Sequence, residues 1–332
     1  EKNAMVNVGV DLQMFKGLLG ITVDYYNTNT SNMLLNVRVP HLTGYSTALM
    51  NIGKVNNRGW EIALTSQKNF TKDFGYSFNA NYATNTNEVK ALGPGNAPII
   101  STGSGEPIGC YYLLVQDGIF SNEEELKKYP HFSNTQPGDF RFVDVDGDGV
   151  MDLDKDRTIV GNYMPDFTYG FGGKVWYKGI DLDFNFQGVY GNEILNLNRR
   201  YIDNLEGNTN GTTIALNRWK SADNPGNGQV NRANRKSKGY NGRTSTWHLE
   251  DGSYLRLQNV TLGYTLPQNL TRRFFVEKLR VYVSGQNLWT STNYGGYNPE
   301  VNARPSNSLS PGEDYGTYPL AKTFLFGLNI TL

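Results

Sequence analysis

Apolar and polar residues alternate with a period of two along most of this chain, and this pattern constrains the fold more than any other feature of its sequence. Such alternation is typical of β-strands that have one apolar and one polar face. Between residues 180 and 187 the apolar positions are Ile180, Leu182, Phe184 and Phe186. The other clear runs are 4–14, 60–64, 74–82, 167–177, 260–266, 279–283 and 324–332. The pattern predicts an all-β fold with about nine strands.

The connections between the predicted strands alternate strictly between short and long. The short ones are 16–17, 69–73, 178–179 and 267–277, and the long ones are 39–57, 89–164, 196–252 and 291–319. In an up-and-down meander, this alternation places every short turn at one end of the sheet and every long loop at the other. Loops longer than ~15 residues are uncommon in compact domains unless they serve a function. A transmembrane antiparallel β-barrel of the outer-membrane type has this asymmetry, with its long loops on the extracellular side.

The composition suggests a soluble protein and excludes several classes. Among the 332 residues, 31 basic side chains balance 31 acidic ones, so the basic surface expected of a nucleic-acid-binding protein is not indicated. A single cysteine, Cys110, excludes a disulfide scaffold. No apolar run approaches the ~18 residues of a membrane-spanning helix, and we find no amino-terminal signal segment. Barrel strands alternate in polarity, however, so a hydrophilic average is also compatible with a lipid-facing surface.

A soluble β-sandwich is the alternative that the alternation leaves open, because its strands also have one apolar face. Aromatic residues collect beside the short turns, which resembles the interfacial girdle of a membrane barrel. These residues are Phe15, Phe70, Phe74, Trp176, Tyr177, Phe274 and Phe275. About nine strands would also leave an open edge on each side of the sheet, whereas a portion of a larger barrel would not. Both features favour the barrel.

Several motifs in a fixed order resemble the carboxy-terminal part of the SusC/RagA family of TonB-dependent outer-membrane transporters of Bacteroidetes. The motifs are NIGKVNNRGWE at 51–61, DGIF at 117–120, DVDGDG at 144–149, DRTIVG at 156–161, PDFTYG at 165–170, LRLQNVTLGY at 255–264 and SGQNL at 284–288. Each motif is weak by itself, but the ordered series extends from Glu1 to Leu332. The resemblance implies the last nine or so strands of a barrel of ~22 strands with a plugged lumen. The plug and the amino-terminal strands of the family have no counterpart in the sequence.

The resemblance also implies a function. Members of this family lie in the outer membrane of Gram-negative cells, are energised by TonB, and import oligosaccharides or oligopeptides. They pair with a SusD-like surface lipoprotein that closes over the mouth of the barrel. We therefore expect a transporter without enzymatic activity. Its partners would be the lipoprotein, the remaining barrel and plug, TonB, outer-membrane lipid and the substrate, but not nucleic acid. The alternative hypothesis is a secreted, calcium-stabilised β-domain that binds glycans as an adhesin or accessory module.

An acidic turn in the longest connection is the one group of residues whose spacing indicates metal binding. Its aspartates and Gly149 follow the first half of an EF-hand loop, in which oxygen ligands alternate along the chain and a glycine allows the sharp turn. Lys155 stands where an EF-hand has its bidentate Glu, so the turn closes differently. We expect structural calcium or magnesium that rigidifies the loop. The predicted ligands are Asp144, Asp146, Asp148, Val150, Asp152, Asp154 and Asp156.

Aromatic residues in the long connections are the predicted contacts for substrate, because sugar rings stack on aromatic faces. They are Tyr111, Tyr112, Trp219, Trp247, Tyr294 and Tyr297. Ser121, followed by three glutamates, predicts a short N-capped helix that reaches Tyr129. The histidines have no Cys or Glu at ligand spacing, so they do not indicate a catalytic or metal site; they are His41, His131 and His248.

Overall fold

A computed structural model of the chain describes residues 1–39, 42, 44–92, 105–236, 239–304 and 311–332. Strands dominate it, which confirms the all-β prediction. Numbered along the chain, they are β1 (Lys2–Met14), β2 (Leu19–Arg38), β3 (Thr47–Asn69), β4 (Phe74–Ala83), β5 (Thr86–Ala91), β6 (Cys110–Leu114), β7 (Gln116–Ile119), β8 (Phe140–Phe142), β9 (Arg157–Asn162), β10 (Phe167–Tyr177), β11 (Ile180–Tyr190), β12 (Glu193–Asn196), β13 (Leu249–Asp251), β14 (Tyr254–Thr265), β15 (Lys278–Thr292), β16 (Glu313–Asp314) and β17 (Thr323–Thr331).

The helices of the chain are short. The α-helices are α1 (Glu123–Lys128), α2 (Arg199–Ile202) and α3 (Gln268–Thr271), and 3-10 segments lie at Thr213–Asn217, Thr246–His248 and Arg272–Phe274. Among the described residues, no helix has the length and apolar character needed to span a membrane.

Nine strands of the described chain follow one another in an antiparallel meander, in the order β1-β2-β3-β4-β10-β11-β14-β15-β17. β5 lies beyond the end of β4 and pairs with β3. The turn between β10 and β11 has only two residues, Lys178 at φ 48° and Gly179 at φ 88°. Two successive residues with positive φ are what a type I′ hairpin turn requires. The short turns therefore lie at one end of the sheet and the long connections at the other, as predicted.

The register of the ladder places the apolar positions of the nine strands on one face of the sheet, which we call the outer face. One row across it consists of Leu12, Ile21, Leu64, Ala80, Phe171, Phe186, Leu257 and Trp289. Large side chains of this face are exposed; Val8 is 62% exposed and Leu328 is 65% exposed. Each such side chain forgoes roughly 1.5–3 kcal/mol that burial would contribute. The outer face therefore requires an apolar medium or another apolar surface.

The opposite, inner face is polar. The guanidinium of Arg280 on β15 reaches across β14 to Asp181 on β11, and its Nε donates to Oδ1 at 2.9 Å. The side chain passes over Gly263, where a Cβ would lie 2.4 Å from the guanidinium. Near the other edge, Thr22 donates to Asp11 at 2.6 Å. A charged face behind an apolar one is the arrangement of a barrel wall around a polar lumen.

The connection predicted at 39–57 is shorter than expected, because β3 already begins at Thr47 and pairs with the last part of β2, which ends at Arg38. Backbone pairing holds this extension together, and amide side chains bridge it: Asn56 Nδ2 donates to Oδ1 of Asn27 at 2.6 Å and of Asn29 at 2.9 Å. The extension carries polar residues on both faces. It therefore lacks the alternation by which the other strands were predicted.

The remaining long connections pack together at one end of the sheet. We call this part the loop layer and define it as the described residues within 105–166, 191–253 and 293–322. It contains three small sheets, formed by β6 and β9, by β7 and β8, and by β12, β13 and β16. Its largest core cluster consists of Leu114, Ile119, Phe132, Phe140, Phe142 and Met151.

The predicted short helix is present in the loop layer as α1, but its N-cap is Asn122 and not Ser121. The Asn122 side chain accepts the backbone N–H groups of Glu124 at 3.0 Å and Glu125 at 3.1 Å. The backbone N–H of Ser121 instead donates to the Glu125 carboxylate at 2.8 Å. Asn and Ser are similarly good caps, so the sequence alone does not choose between neighbours.

Candidate functional site

The acidic turn at 144–156 folds around Asp156, whose side chain is fully buried. The Asp156 carboxylate accepts the backbone N–H groups of Val145 at 2.9 Å and Asp152 at 2.6 Å, and so it joins the beginning of the turn to its end. Asp144 and Asp146 each bring one carboxylate oxygen to a point where the three oxygens lie within 4.8 Å of one another. Three of the seven predicted metal ligands therefore converge.

The other predicted acidic ligands lie outside this group. Asp148 accepts the backbone N–H of Val150 at 2.9 Å and the ammonium of Lys155 at 3.1 Å. These bonds lower the pKa of Asp148, and the same carboxylate raises the pKa of Lys155. Asp152 accepts the backbone N–H of Asp154 at 2.7 Å, and the Asp154 side chain is exposed. Of the acidic side chains in the described ranges, only Asp144, Asp146 and Asp156 form a group with ligand spacing.

The three converging carboxylates fit a hard divalent cation. Calcium takes six to eight oxygen ligands, and the group offers no nitrogen or sulfur that would favour zinc. Asp144 also accepts the backbone N–H groups of Gly147 at 2.8 Å and Gly149 at 2.9 Å. These bonds hold its oxygens in place. Backbone carbonyls and water would have to complete the coordination of such a cation.

Two of the six aromatic residues predicted to contact substrate are buried. Tyr111 is 5% exposed, and its hydroxyl donates to the carbonyls of Glu193 at 3.0 Å and Gly312 at 3.1 Å. Tyr294 is also 5% exposed, and its hydroxyl donates to the Asp314 carboxylate. Burial raises the pKa of both hydroxyls. In this structure both rings pack inside the loop layer instead of facing the mouth, because their hydroxyls join segments distant in the chain.

The other four differ in their exposure. Trp219 and Trp247 are half-buried against the largest core cluster, and the ring of Trp247 lies 4.3 Å from the guanidinium of Arg199. Tyr112 is 38% exposed and Tyr297 is 82% exposed. These two tyrosines are accessible to a substrate.

His248 is fully buried in the loop layer. Its Nδ1 accepts the backbone N–H of Ser245 at 3.3 Å, an arrangement that requires the neutral ring. Burial, with a contribution from the nearby Arg199, lowers the pKa of His248 to about 4. His131 is exposed at the surface, and His41 lies outside the described residues.

A cleft of about 510 Å³ opens in the loop layer, and none of the predicted metal ligands or aromatic contacts lines it. Two stretches of the connection between β11 and β14 form most of its wall, and a hydrogen bond from Asn241 Nδ2 to the Glu206 carboxylate at 2.9 Å joins them. The sequence has no local signal for this cleft, since its walls come together only through folding of the loop layer. Its lining includes Asn134, Arg200, Tyr201, Asn204, Tyr240 and Arg243.

Comparison with known proteins finds a family model and relatives to which this chain is similar. The model described as TonB dependent receptor-like, beta-barrel matches residues 1–108. TonB-dependent receptor P3 of Formosa agariphila is 32% identical over 348 aligned positions, which cover 99% of this chain and 34% of that protein. TonB-dependent receptor SusC of Bacteroides thetaiotaomicron is 28% identical over 344 positions, which cover 99% of this chain and 32% of SusC.

Solved structures agree with the sequence relatives. The RagAB peptide transporter superimposes with a TM-score of 0.78 at 26% identity, over 99% of this chain and 35% of that chain. The RagAB peptide importer in its closed-closed state has the same TM-score of 0.78. The chain thus spans about a third of the length of the relatives that it matches. In its meander, the polarity of its two faces and these sequence and structure matches, the chain is similar to the TonB-dependent receptors of the SusC and RagA type.

Proposed function

We propose that this chain forms part of the barrel of a SusC-like transporter that imports oligosaccharides or oligopeptides across the outer membrane. The observation that carries the proposal is the exposed apolar outer face of the nine-stranded sheet, opposite a polar inner face. A bilayer supplies the apolar medium that this face requires, and the inner face then lines a lumen. The relatives are named receptors and transporters, which supports transport without catalysis by this chain.

The edges of the sheet support the participation of further strands. Within the described chain, β1 and β17 each pair on one side only. In a bilayer, each unsatisfied backbone group costs several kcal/mol, so both edges need partners. The remaining strands of the same barrel would supply them and would enclose the plug on which TonB acts.

The loop layer supports a SusD-like lipoprotein as the partner on the extracellular side. It leaves large aromatic side chains uncovered; Tyr297 is 82% exposed and Tyr318 is 86% exposed. Aromatic residues are enriched where proteins contact each other. A lipoprotein that closes over the barrel mouth would cover these rings.

Two measurements test the transport proposal. In cell fractionation we expect the protein that contains this chain in the outer membrane, released by detergent but not by buffer. Release into buffer alone would instead support the second candidate, a secreted β-domain that binds glycans. In an uptake assay, deletion of the gene should abolish energy-dependent accumulation of the imported oligosaccharide or peptide. Unchanged uptake of every probe would contradict the transport function.

We further propose that the acidic turn binds calcium, or magnesium, as a structural ion. Asp144, Asp146 and Asp156 supply three carboxylate oxygens within 4.8 Å of one another. A bound cation would offset the repulsion among these groups and would hold the turn against the rest of the loop layer. It has no role in the chemistry of transport.

Titration calorimetry of the chelator-treated protein with calcium tests this proposal. We expect binding that Asp146→Ala weakens at least about tenfold, because one ionic ligand of the cation is lost. Asp154→Ala is the matched control, since its side chain is exposed and outside the converging group. Absence of binding at millimolar calcium, or an equal effect of both substitutions, would rule out this site.

A further inference from the structure

The cleft of the loop layer has the size and the donors of a ligand site, and it is separate from the acidic turn. Its volume of about 510 Å³ lies within the range of 300–1,000 Å³ that is usual for ligand pockets. It is open to solvent through side chains that include Tyr201, which is 46% exposed.

Two arginines of the cleft are free to bind an anion. In the described part of the chain, Arg200 and Arg243 have no carboxylate partner, unlike Arg141, Arg199, Arg232, Arg256, Arg280 and Arg304. The acidic side chain in the lining, Glu206, accepts the backbone N–H of Gly239 at 2.7 Å and the amide of Asn241 at 2.9 Å with one oxygen. Its carboxylate is thereby held in the wall. With two guanidinium groups and one carboxylate in its lining, the cleft has a net positive charge.

The Arg243 guanidinium is also held in position before a ligand binds. It lies over the ring of Tyr240 at 5.0 Å, and this ring stacks on Phe132 at 4.3 Å. The stack supports the planar group from below and leaves its N–H donors for a ligand. A group that is ordered before binding loses less conformational entropy when the ligand arrives.

The other lining groups favour a sugar over a peptide. Asn204 accepts the backbone N–H of Glu206 with its Oδ1 at 3.0 Å, which leaves its amide nitrogen to donate. The hydroxyl of Tyr201 is held by the hydroxyl of Tyr315 at 2.9 Å, which orients an exposed ring on which a sugar can stack. One common way to bind an extended peptide is to pair it with a strand edge, and none of the strands β1–β17 lines the cleft.

We propose that this cleft binds an anionic oligosaccharide, with Arg200 and Arg243 holding a carboxylate or sulfate group of the sugar. The inference rests on the proposed transport function and narrows its substrate to acidic glycans. Charge-assisted bonds from arginine to such groups are among the strongest hydrogen bonds in proteins and select against neutral sugars.

Calorimetry on the complete transporter in detergent tests the inference with four probes. They are tetragalacturonate, a sulfated tetrasaccharide, neutral maltotetraose and an acidic tetrapeptide. We expect at least one acidic sugar to bind at least about tenfold more tightly than maltotetraose. Arg200→Gln or Arg243→Gln should weaken the binding of that sugar at least about tenfold. The first two probes distinguish carboxylate from sulfate as the recognised group. Lys127→Gln, which removes a positive charge from the exposed side of α1, should leave binding unchanged.

Several outcomes would overturn the assignment of the cleft. These are equal affinity for neutral and acidic sugars, binding of the tetrapeptide alone, or undiminished binding by both arginine variants. Arg243 is exposed at the rim, so its variant remains informative if Arg200→Gln does not assemble. Transport is measured separately, as uptake of the sugars by cells. Binding of an acidic sugar without its uptake would support the assignment of the cleft and contradict the transport proposal. Uptake of neutral sugars alone would contradict the assignment of the cleft.

Discussion

Buried polar residues help to hold distant segments of the loop layer together. Asp139 is fully buried and accepts Arg232 Nε at 2.7 Å and Asn241 Nδ2 at 2.9 Å. Loss of one member of such a pair typically costs ~3–5 kcal/mol, because the other charge is left buried without a partner. Asp139 and Asn241 are 102 residues apart, so no local pattern reveals their contact. The acidic turn is the opposite case, since its members are close in sequence, and the carboxylate oxygens of Asp144, Asp146 and Asp156 lie within 4.8 Å of one another.

The first prediction at this scale concerns His248, whose pKa falls from 6.5 to about 4 on folding. The unfolded chain binds the proton more tightly than the folded chain does. The contribution of neutral His248 to the free energy of unfolding is therefore complete above pH 6.5 and is lost as the pH falls toward 4. At pH 4 the free energy of unfolding is lower by about 3 kcal/mol. We expect the stability of the loop layer to fall in this window, measured as amide hydrogen exchange of the segment 240–251.

His248→Asn should remove this part of the pH dependence, because Asn accepts a hydrogen bond but does not titrate in this range. His131→Gln is the control, since His131 is exposed and should leave the pH profile as it is. Glu193 and Glu313, whose pKa values burial raises, are common to all variants and act in the opposite sense. The difference between variants therefore isolates His248. An identical profile for His248→Asn and the unaltered protein would contradict the prediction.

At the scale of elements, period-two alternation located eight strands of the meander, whereas β2 followed only from the connections on either side of it. Alternation failed for the first part of β3, where Asn56 and its partner Asn27 on β2 interrupt the apolar face and an amide hydrogen bond replaces an apolar contact. The short turns were located correctly, because a two-residue hairpin needs positive φ and Lys178-Gly179 provides it. The cap of α1 was placed one residue early, because Ser121 and Asn122 are both good caps.

The second prediction compares two glycines of the short turns. Gly179 has φ +88°, and a Cβ there would lie 2.6 Å from the carbonyl oxygen of Thr265, whereas Gly17 has φ +85° and nothing within 4 Å. Gly17→Ala should cost only the ~1–2 kcal/mol of a left-handed residue, and Gly179→Ala should cost more because of the clash. The measurement is the temperature at which the barrel unfolds in gel-shift experiments. A lower unfolding temperature for Gly17→Ala than for Gly179→Ala would contradict this reading of the turns.

At the scale of the whole molecule, the nine strands form a wall with an apolar outer face and a polar inner face. This asymmetry explains why an average composition of 38% hydrophobic residues is compatible with a lipid-facing surface. The loop layer closes one end of the wall and carries the acidic turn and the cleft. On the proposed function, the wall would lie in the membrane and the layer would recognise the ligand.

The third prediction tests the assignment of the two faces with neighbouring residues of β4. Phe78 lies on the outer face in the row of Gly173, and Asn79 lies on the inner face opposite Gly172. Phe78→Arg should destabilise the protein in a bilayer by ~2–4 kcal/mol, because a charge then faces lipid. Asn79→Arg should be tolerated, since its side chain faces the polar lumen. The measurement is the folded fraction in lipid vesicles, and equal yields for the two variants would argue against a lipid-facing surface.

The sequence by itself determined most strands of the meander, which of their faces is apolar, the end of the sheet at which the long connections lie, and the resemblance to a family. These properties are local or repeat along the chain, so neighbouring residues encode them. Only the tertiary structure decided that Tyr111 and Tyr294 are buried, that Asp148 pairs with Lys155 outside the group of Asp144, Asp146 and Asp156, and that Arg200 and Arg243 share a cleft. The loop layer is held by contacts between segments far apart in sequence, and the free energy of such contacts depends on burial that no local pattern records.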